Sequence, residues 1–428
     1  PVLAKQNTEN ELFELTYLLD LGKNADRKLA MAVQYLEFLG TDQYDAEAFK
    51  KELYKLGCSF NVFASTERTY VTLSGLNDNM EEATALFESL LANAQPDQDA
   101  LDKMVDRSFK SRSDAKKNKG RILWDGLYNY GKYGKENPYN DVLSNYEMKE
   151  LKAEELVSII KGITKLPHRI LYYGPRSSSD FGAFIASAHN VPESFDAIPE
   201  LKTYAEVDIE KPKVFWTDYD MVQSEIVFLA KGNTYDAQKE PAVRMFNEYF
   251  GGGMNSIVFQ EIREAQGLAY SVFSSFSQPS KQEKSNYIFA YVGTQADKQS
   301  EAMDAMMDLL NNLPESESAF EVAKGAILNK IESERVTGSG VLWNYINAQD
   351  KGLEYDIRKD IYNDVQNMSF DDLSDFHQKY VKDQDYITVM VGSRDRIDFN
   401  SLQEYGEITE VPIDELFGYE DPEQLISK

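Results

Sequence analysis

Apolar positions along the chain alternate between a period of two and a period of about 3.6, which separates strands from helices. Residues 12–21, LFELTYLLDL, read as a strand. Residues 24–39 carry helical spacing and stop at Gly40. Residues 45–57, DAEAFKKELYKLG, predict a second helix: Asp45 caps it, Phe49, Leu53 and Leu56 share a face, and Gly57 ends it. SFNVFAS (59–65) and TYVTLSGL (69–76) alternate as a strand pair, helices follow over 80–94 and 97–119, and RILYYG (169–174) is a short strand.

The same order then returns. EIVFLAKG (225–232) is a strand, AVRMFNEYFGGG (242–253) and NSIVFQEIREAQG (255–267) are helices with glycine stops, LAYSVFSSF (268–276) and YIFAYVGT (287–294) are strands, and EAMDAMMDLL (301–310) is a helix. Counted back from Gly40 and Gly251, Glu37 corresponds to Glu248; Gly57 matches Gly267, Phe60 Tyr270, Val62 Val272 and Phe63 Phe273. An internal duplication follows. Residues 191–213 carry three prolines and no sustained helical stripe, as a linker does. The expected organisation is a domain over 1–190, a linker over 191–213 and a second domain over 214–428. The fold class is α+β: two homologous domains, each a mainly antiparallel sheet packed against helices on one face.

The 428 residues are 42% hydrophobic and 12% aromatic, enough for packed cores. A formal charge of −27, from 72 acidic and 45 basic residues, opposes nucleic acid and anionic membrane surfaces as partners. No apolar run is long enough to cross a bilayer. The one cysteine, Cys58, excludes an internal disulfide and a thiolate metal cluster. The three histidines, His168, His189 and His377, are too far apart in sequence for a helical pair. Low cysteine content suits a bacterial cytoplasm or periplasm equally. The opening Pro1, without Met or a signal pattern, points to a removed leader or to excision from a longer chain.

Two stretches carry candidate chemistry. In AVQYLEFLGT (32–41), Gln34, Glu37 and Phe38 share a helical face. An H-x-x-E-H helix uses that geometry to hold zinc on two imidazoles beside a glutamate base. Here the ligand positions hold an amide and a phenyl ring, so no metal site is expected. In residues 251–276, Arg263 ends a helix and Tyr270 opens the next strand; folding back at Gly267 brings both to one surface, where they can donate to a carbonyl or an oxyanion. The plainer account is a dipole-complementing arginine and a packing tyrosine. The basic tract 109–121 reads as a solvated helix face, and YNYGKYGKENPYN (128–140) as a loop packed by its own tyrosines.

With those segments in view, the chain resembles the insulinase/pitrilysin family of zinc peptidases over nearly its whole length. AVQYLEFLGT stands where that family carries its zinc helix, with the histidines replaced by Gln34 and Phe38 and only Glu37 kept. The third ligand should fall near SRSDAKKNK, where Asp114 lies among basic residues and is not assigned. FQEIREAQGLAYSVFSS resembles the family's arginine–tyrosine segment, with Arg263 and Tyr270 at the family spacing. The resemblance implies a metal-free half of a zinc metalloendopeptidase. A zinc-bearing homologous half, on the same longer chain or a separate subunit, would supply the ion. Arg263 and Tyr270 would grip unfolded peptide and help stabilise the tetrahedral intermediate. A catalytically inactive scaffold or peptide-binding subunit is the alternative.

Overall fold

The computed structural model describes residues 1–420. Among the described residues, eleven strands form two sheets. The first contains β1 (Val2–Gln6), β2 (Leu12–Leu19), β3 (Cys58–Ala64), β4 (Thr69–Leu76) and β5 (Arg169–Gly174), in the order β1-β5-β2-β4-β3. The second contains β6 (Lys213–Asp218), β7 (Gln223–Thr234), β8 (Ser271–Ser277), β9 (Ser285–Gln295), β10 (Ile387–Gly392) and β11 (Glu407–Glu410), in the order β11-β6-β10-β7-β9-β8. β1 runs parallel to β5, and β6 runs parallel to β10 and β11; the remaining pairs are antiparallel. The sheets are therefore mixed, each with an antiparallel block ending in an edge strand, β3 or β8. The 3.6-period reading holds for the helices with trimmed ends: the stretch expected over 24–39 is an α-helix over Leu29–Tyr35 tightened into a 3₁₀ turn over Leu36–Phe38. Asp45 accepts a hydrogen bond from the Ala48 amide at 2.8 Å, and Gly57 and Gly267 end their helices at φ +64° and +61°.

Each sheet buries one face under its own helices. Leu15, Tyr17, Val71 and Leu73 meet Val33, Leu36, Phe49 and Phe87 in the first half; Ile226, Phe228 and Val292 meet Phe246, Phe250, Met303 and Met306 in the second. The opposite faces do not stay bare, which departs from the expected covering on one face. Residues 121–133 of the first half lie across the second sheet. Ile122, Leu123 and Leu127 are fully buried against Val227, Val389 and Val391, with Leu416 and Phe417 completing the cluster. The aromatic stretch 128–140 is thus not a self-packed loop: Tyr128 meets Phe289, and Tyr130 meets Phe215. Gly131 makes a close approach here: a Cβ would sit 3.1 Å from Val389 Cγ1. In return the Gly340–Asp350 helix of the second half lies across the first sheet, where Leu342 and Ile346 meet Leu18 and Leu171.

This exchange is itself duplicated. ILW at 122–124 matches VLW at 341–343. Trp124 packs 5.7 Å from Tyr291, and Trp343 packs 5.7 Å from Tyr70. The duplicated halves have diverged at the sheet edges. The Asn247 amide clamps β8, accepting from Phe276 N–H at 2.6 Å and donating to its carbonyl at 3.0 Å. The position four before the matching glycine in the first half is Leu36, which is apolar and buried. Among the described residues, no side chain hydrogen-bonds to the β3 backbone.

Candidate functional site

The helix carrying Gln34, Glu37 and Phe38 sits beside β3, with Ala32, Val33, Tyr35 and Leu36 buried beneath it. Gln34 is exposed, while Glu37 and Phe38 are half-buried. Phe38 lies under two cations: the Arg107 guanidinium is 4.6 Å from its ring centre and the Lys50 ammonium 5.6 Å. Asp114 is exposed in a cleft of about 360 Å³ that also holds Arg107, Lys110 and Arg121. A zinc ion needs imidazole, thiolate or carboxylate donors. These positions offer an amide and a hydrocarbon ring, and the nearby cations repel a dication. The residues do not fit the metal, and no cluster of three or more His, Cys, Asp or Glu side chains able to hold one occurs among the described residues. In the second half Glu248, the counterpart of Glu37, is exposed on the wall of a polar cleft of about 430 Å³ with Arg244, Lys330 and Arg358.

The Arg–Tyr segment is built from a wide π-helical turn over Phe259–Ala265 that Gly267 ends. Arg263 is half-exposed; its guanidinium covers the Phe259 ring at 4.7 Å, and its Nε lies 3.7 Å from the Glu264 carboxylate. Tyr270 is 45% exposed at the start of β8, and its backbone N–H donates to the Gly293 carbonyl at 3.1 Å. Its hydroxyl enters a polar cluster. It donates to a Glu225 carboxylate oxygen at 2.7 Å, and Tyr291 donates to the other oxygen. Lys119, from the first half, donates to Glu225 at 2.5 Å and to the Gln223 side-chain oxygen at 2.8 Å, and reaches the Tyr270 oxygen at 3.3 Å.

Glu225 is therefore a buried carboxylate, 3% exposed, with three donors around it. Gly293 opposite it leaves the room: a Cβ there would lie 2.6 Å from the Tyr291 hydroxyl and 3.2 Å from that of Tyr270. Burial and the Glu225 bond both raise the Tyr270 and Tyr291 pKa values. Burial is the largest single influence on Lys119 and opposes its charge, but the hydrogen bonds and charges of Glu225 and Tyr270 together outweigh it and the pKa rises. The cluster was invisible to spacing because its members lie far apart in sequence. The available signal was a lone carboxylate, Glu225, opening the apolar run IVFLA.

Against known sequences, residues 29–136 match the insulinase (peptidase family M16) pattern and residues 176–326 match the peptidase M16 inactive domain. The chain belongs to the insulinase family, peptidase family M16. It is 24% identical over 388 residues to the non-peptidase homolog YmxG of Helicobacter pylori, covering 86% of this chain and 85% of that one. Its fold superposes on the peptidase M16 inactive domain from Pseudomonas fluorescens with a TM-score of 0.72 and 19% identity, covering 92% of this chain and 95% of that one. It also superposes on the periplasmic protease PqqL from Escherichia coli, with a TM-score of 0.70 and 11% identity, covering 91% of this chain but 44% of that one. The same two-sheet architecture thus spans nearly all of one solved chain and less than half of another. The helix carrying Gln34, Glu37 and Phe38 lies within the stretch that matches the M16 pattern.

Proposed function

We propose that this chain is the metal-free half of a zinc metalloendopeptidase, working with a homologous half that carries the ion. The observation that carries the reading is a contrast within one chain: the zinc helix has Phe38 under Arg107 and Lys50, while Arg263 remains exposed at the family spacing from Tyr270. Domain 1–190 is then the degenerate peptidase-like unit, 191–213 the linker, and 214–428 the unit that bears the gripping residues. Unfolded peptide is enclosed between the two halves and adds as a strand to a sheet edge in the zinc-bearing half through backbone hydrogen bonds. Arg263 donates to peptide carbonyls and to the developing oxyanion. Tyr270 commits its proton to Glu225, so it meets the peptide first as an acceptor and donates only on releasing that bond.

A second reading, an inactive scaffold, is favoured by the name of the Helicobacter pylori relative, a non-peptidase homolog. Reconstitution separates the two. Mixed with an M16 half bearing an intact H-x-x-E-H helix, the chain should support turnover of a fluorogenic peptide, and Arg263→Ala should lower kcat/KM by about 10²-fold, the scale of one lost oxyanion donor. Turnover that ignores Arg263→Ala and Tyr270→Phe assigns the scaffold role.

A further inference from the structure

The Lys119 ammonium has three N–H donors, and the cluster presents three acceptors to it: the Glu225 carboxylate, the Gln223 amide oxygen and the Tyr270 hydroxyl oxygen. The Tyr270 ring adds its face at 5.9 Å. The acceptors are built into the sheet, with the Glu225 side chain 5% exposed, whereas the Lys119 side chain is 41% exposed. The ammonium therefore closes the cage from the solvent side, and it can leave without any strand moving.

The duplicated half shows that the fold does not require this cage. Glu225 pairs across the sheet with Gly293; the matching pair in the first half is Thr16 with Thr72, whose hydroxyls bond at 2.9 Å. The counterpart of Tyr270 is Phe60. Lys119 lies five residues before Trp124, and Gly338 holds that place before Trp343. The same strands and the same crossing helix thus close around a small neutral pair. Charge and acceptors were placed only where Tyr270 stands, beside the segment proposed to meet peptide.

We propose that Glu225, Gln223 and Tyr270 form an ammonium subsite, filled by Lys119 in the peptide-free chain and taken over by a lysine side chain of a bound peptide. This rests on the peptide-gripping role above. Exchange of one ammonium for another keeps every hydrogen bond and the charge balance of the cage, so the displacement carries little intrinsic cost. The net charge of −27 draws cationic peptide toward the chain. Lys119 then acts as an internal competitor that selects against weakly basic ligands.

Two measurements test this. The first reads the cage without peptide. Lys119→Ala and Lys119→Met should melt below the unaltered chain, and n-butylammonium should raise their Tm saturably, relative to tetramethylammonium at equal ionic strength. The unaltered chain should not respond, and Lys119→Ala combined with Glu225→Gln should lose the response. Single variants that fold but ignore n-butylammonium overturn the subsite. The second compares, by anisotropy and with a zinc-bearing M16 half whose H-x-x-E-H glutamate is replaced by glutamine present, fluorescent unfolded peptides that differ only by lysine or norleucine at one position. Lys119→Ala should favour the lysine peptide by about tenfold, as a partly desolvated charge pair does, and the unaltered chain by less. Equal binding of the two peptides overturns the subsite while leaving the gripping role standing. Amine rescue with no binding of either peptide upholds the cage and overturns the gripping role.

Discussion

Two helices cross from one half of the molecule to the other, and they are unequal. Residues 121–133 are locked onto the second sheet by Ile122, Leu123 and Leu127, and Trp124 touches Phe273, Phe289 and Tyr291. The Gly340–Asp350 helix rests on the first sheet through Leu342 and Ile346 alone among its fully buried residues, and leaves Phe63 57% exposed. Phe63 is the counterpart of Phe273. One duplicated device has become a permanent joint; the other covers its sheet thinly and leaves aromatic surface open. The half that carries Gln34 and Phe38 is also the half with the open sheet face and the unclamped edge strand, whereas the second half is sealed and bears the charged cage.

The contrast is sharpest in the cost of truncating equivalent leucines. Leu123→Ala, removing a fully buried side chain from the dense cluster, should cost about 4 kcal/mol in denaturant unfolding, and Leu342→Ala about 2 kcal/mol, because the thinner contact can relax. Equal costs would break the comparison. Next comes the polar pair of positions. Glu225→Gln should cost about 2–3 kcal/mol by leaving Lys119 without a counter-charge. Thr16→Val at the matching position should cost about 1 kcal/mol, the loss of one neutral hydrogen bond.

The aromatic counterparts should differ as well. Phe273→Ser should cost about 2 kcal/mol, and Phe63→Ser should stay within about 0.5 kcal/mol, as exposed substitutions do. The smallest expected effect is on pH dependence. Burial lowers the pKa of His168 and of His377, each held by a backbone carbonyl, Leu166 and Leu310 respectively. A depressed folded pKa means the unfolded chain takes up the proton first. Stability is then intact above the free imidazole value of about 6.5 and falls as pH drops through the folded values. His377→Gln should flatten that acid limb in thermal melts from pH 7 to pH 5; an unchanged slope would assign the limb to other groups.

Much of the fold was legible because burial writes its period into the chain. Phe49, Leu53 and Gly57 marked a helix and its end, and the alternation around Val62, Val71 and Val272 marked β3, β4 and β8. β1 and β6, which complete the sheets by parallel pairing over long sequence separations, left no local signature. The crossing helices were present in sequence as ILW and VLW, but their apolar faces do not say which sheet they cover. That information lies in the shape of the partner surface: Tyr128 and Tyr130 pack on Phe289 and Phe215 of the second sheet. In the site, the amide of Gln34 and the ring of Phe38 were readable as poor zinc donors because zinc chemistry depends on residue type. The Lys119–Glu225–Tyr270 cluster was not, because three distant segments supply it and only tertiary packing brings them together.

The central claim is that this chain handles peptide without holding the ion. The direct measurement is the zinc content of the purified chain by mass spectrometry after equilibration with micromolar zinc, paired with hydrolysis of an unfolded peptide in the absence of any other half. Substoichiometric zinc and no chelator-sensitive turnover are predicted. One zinc per chain, with turnover that a chelator abolishes, would contradict it.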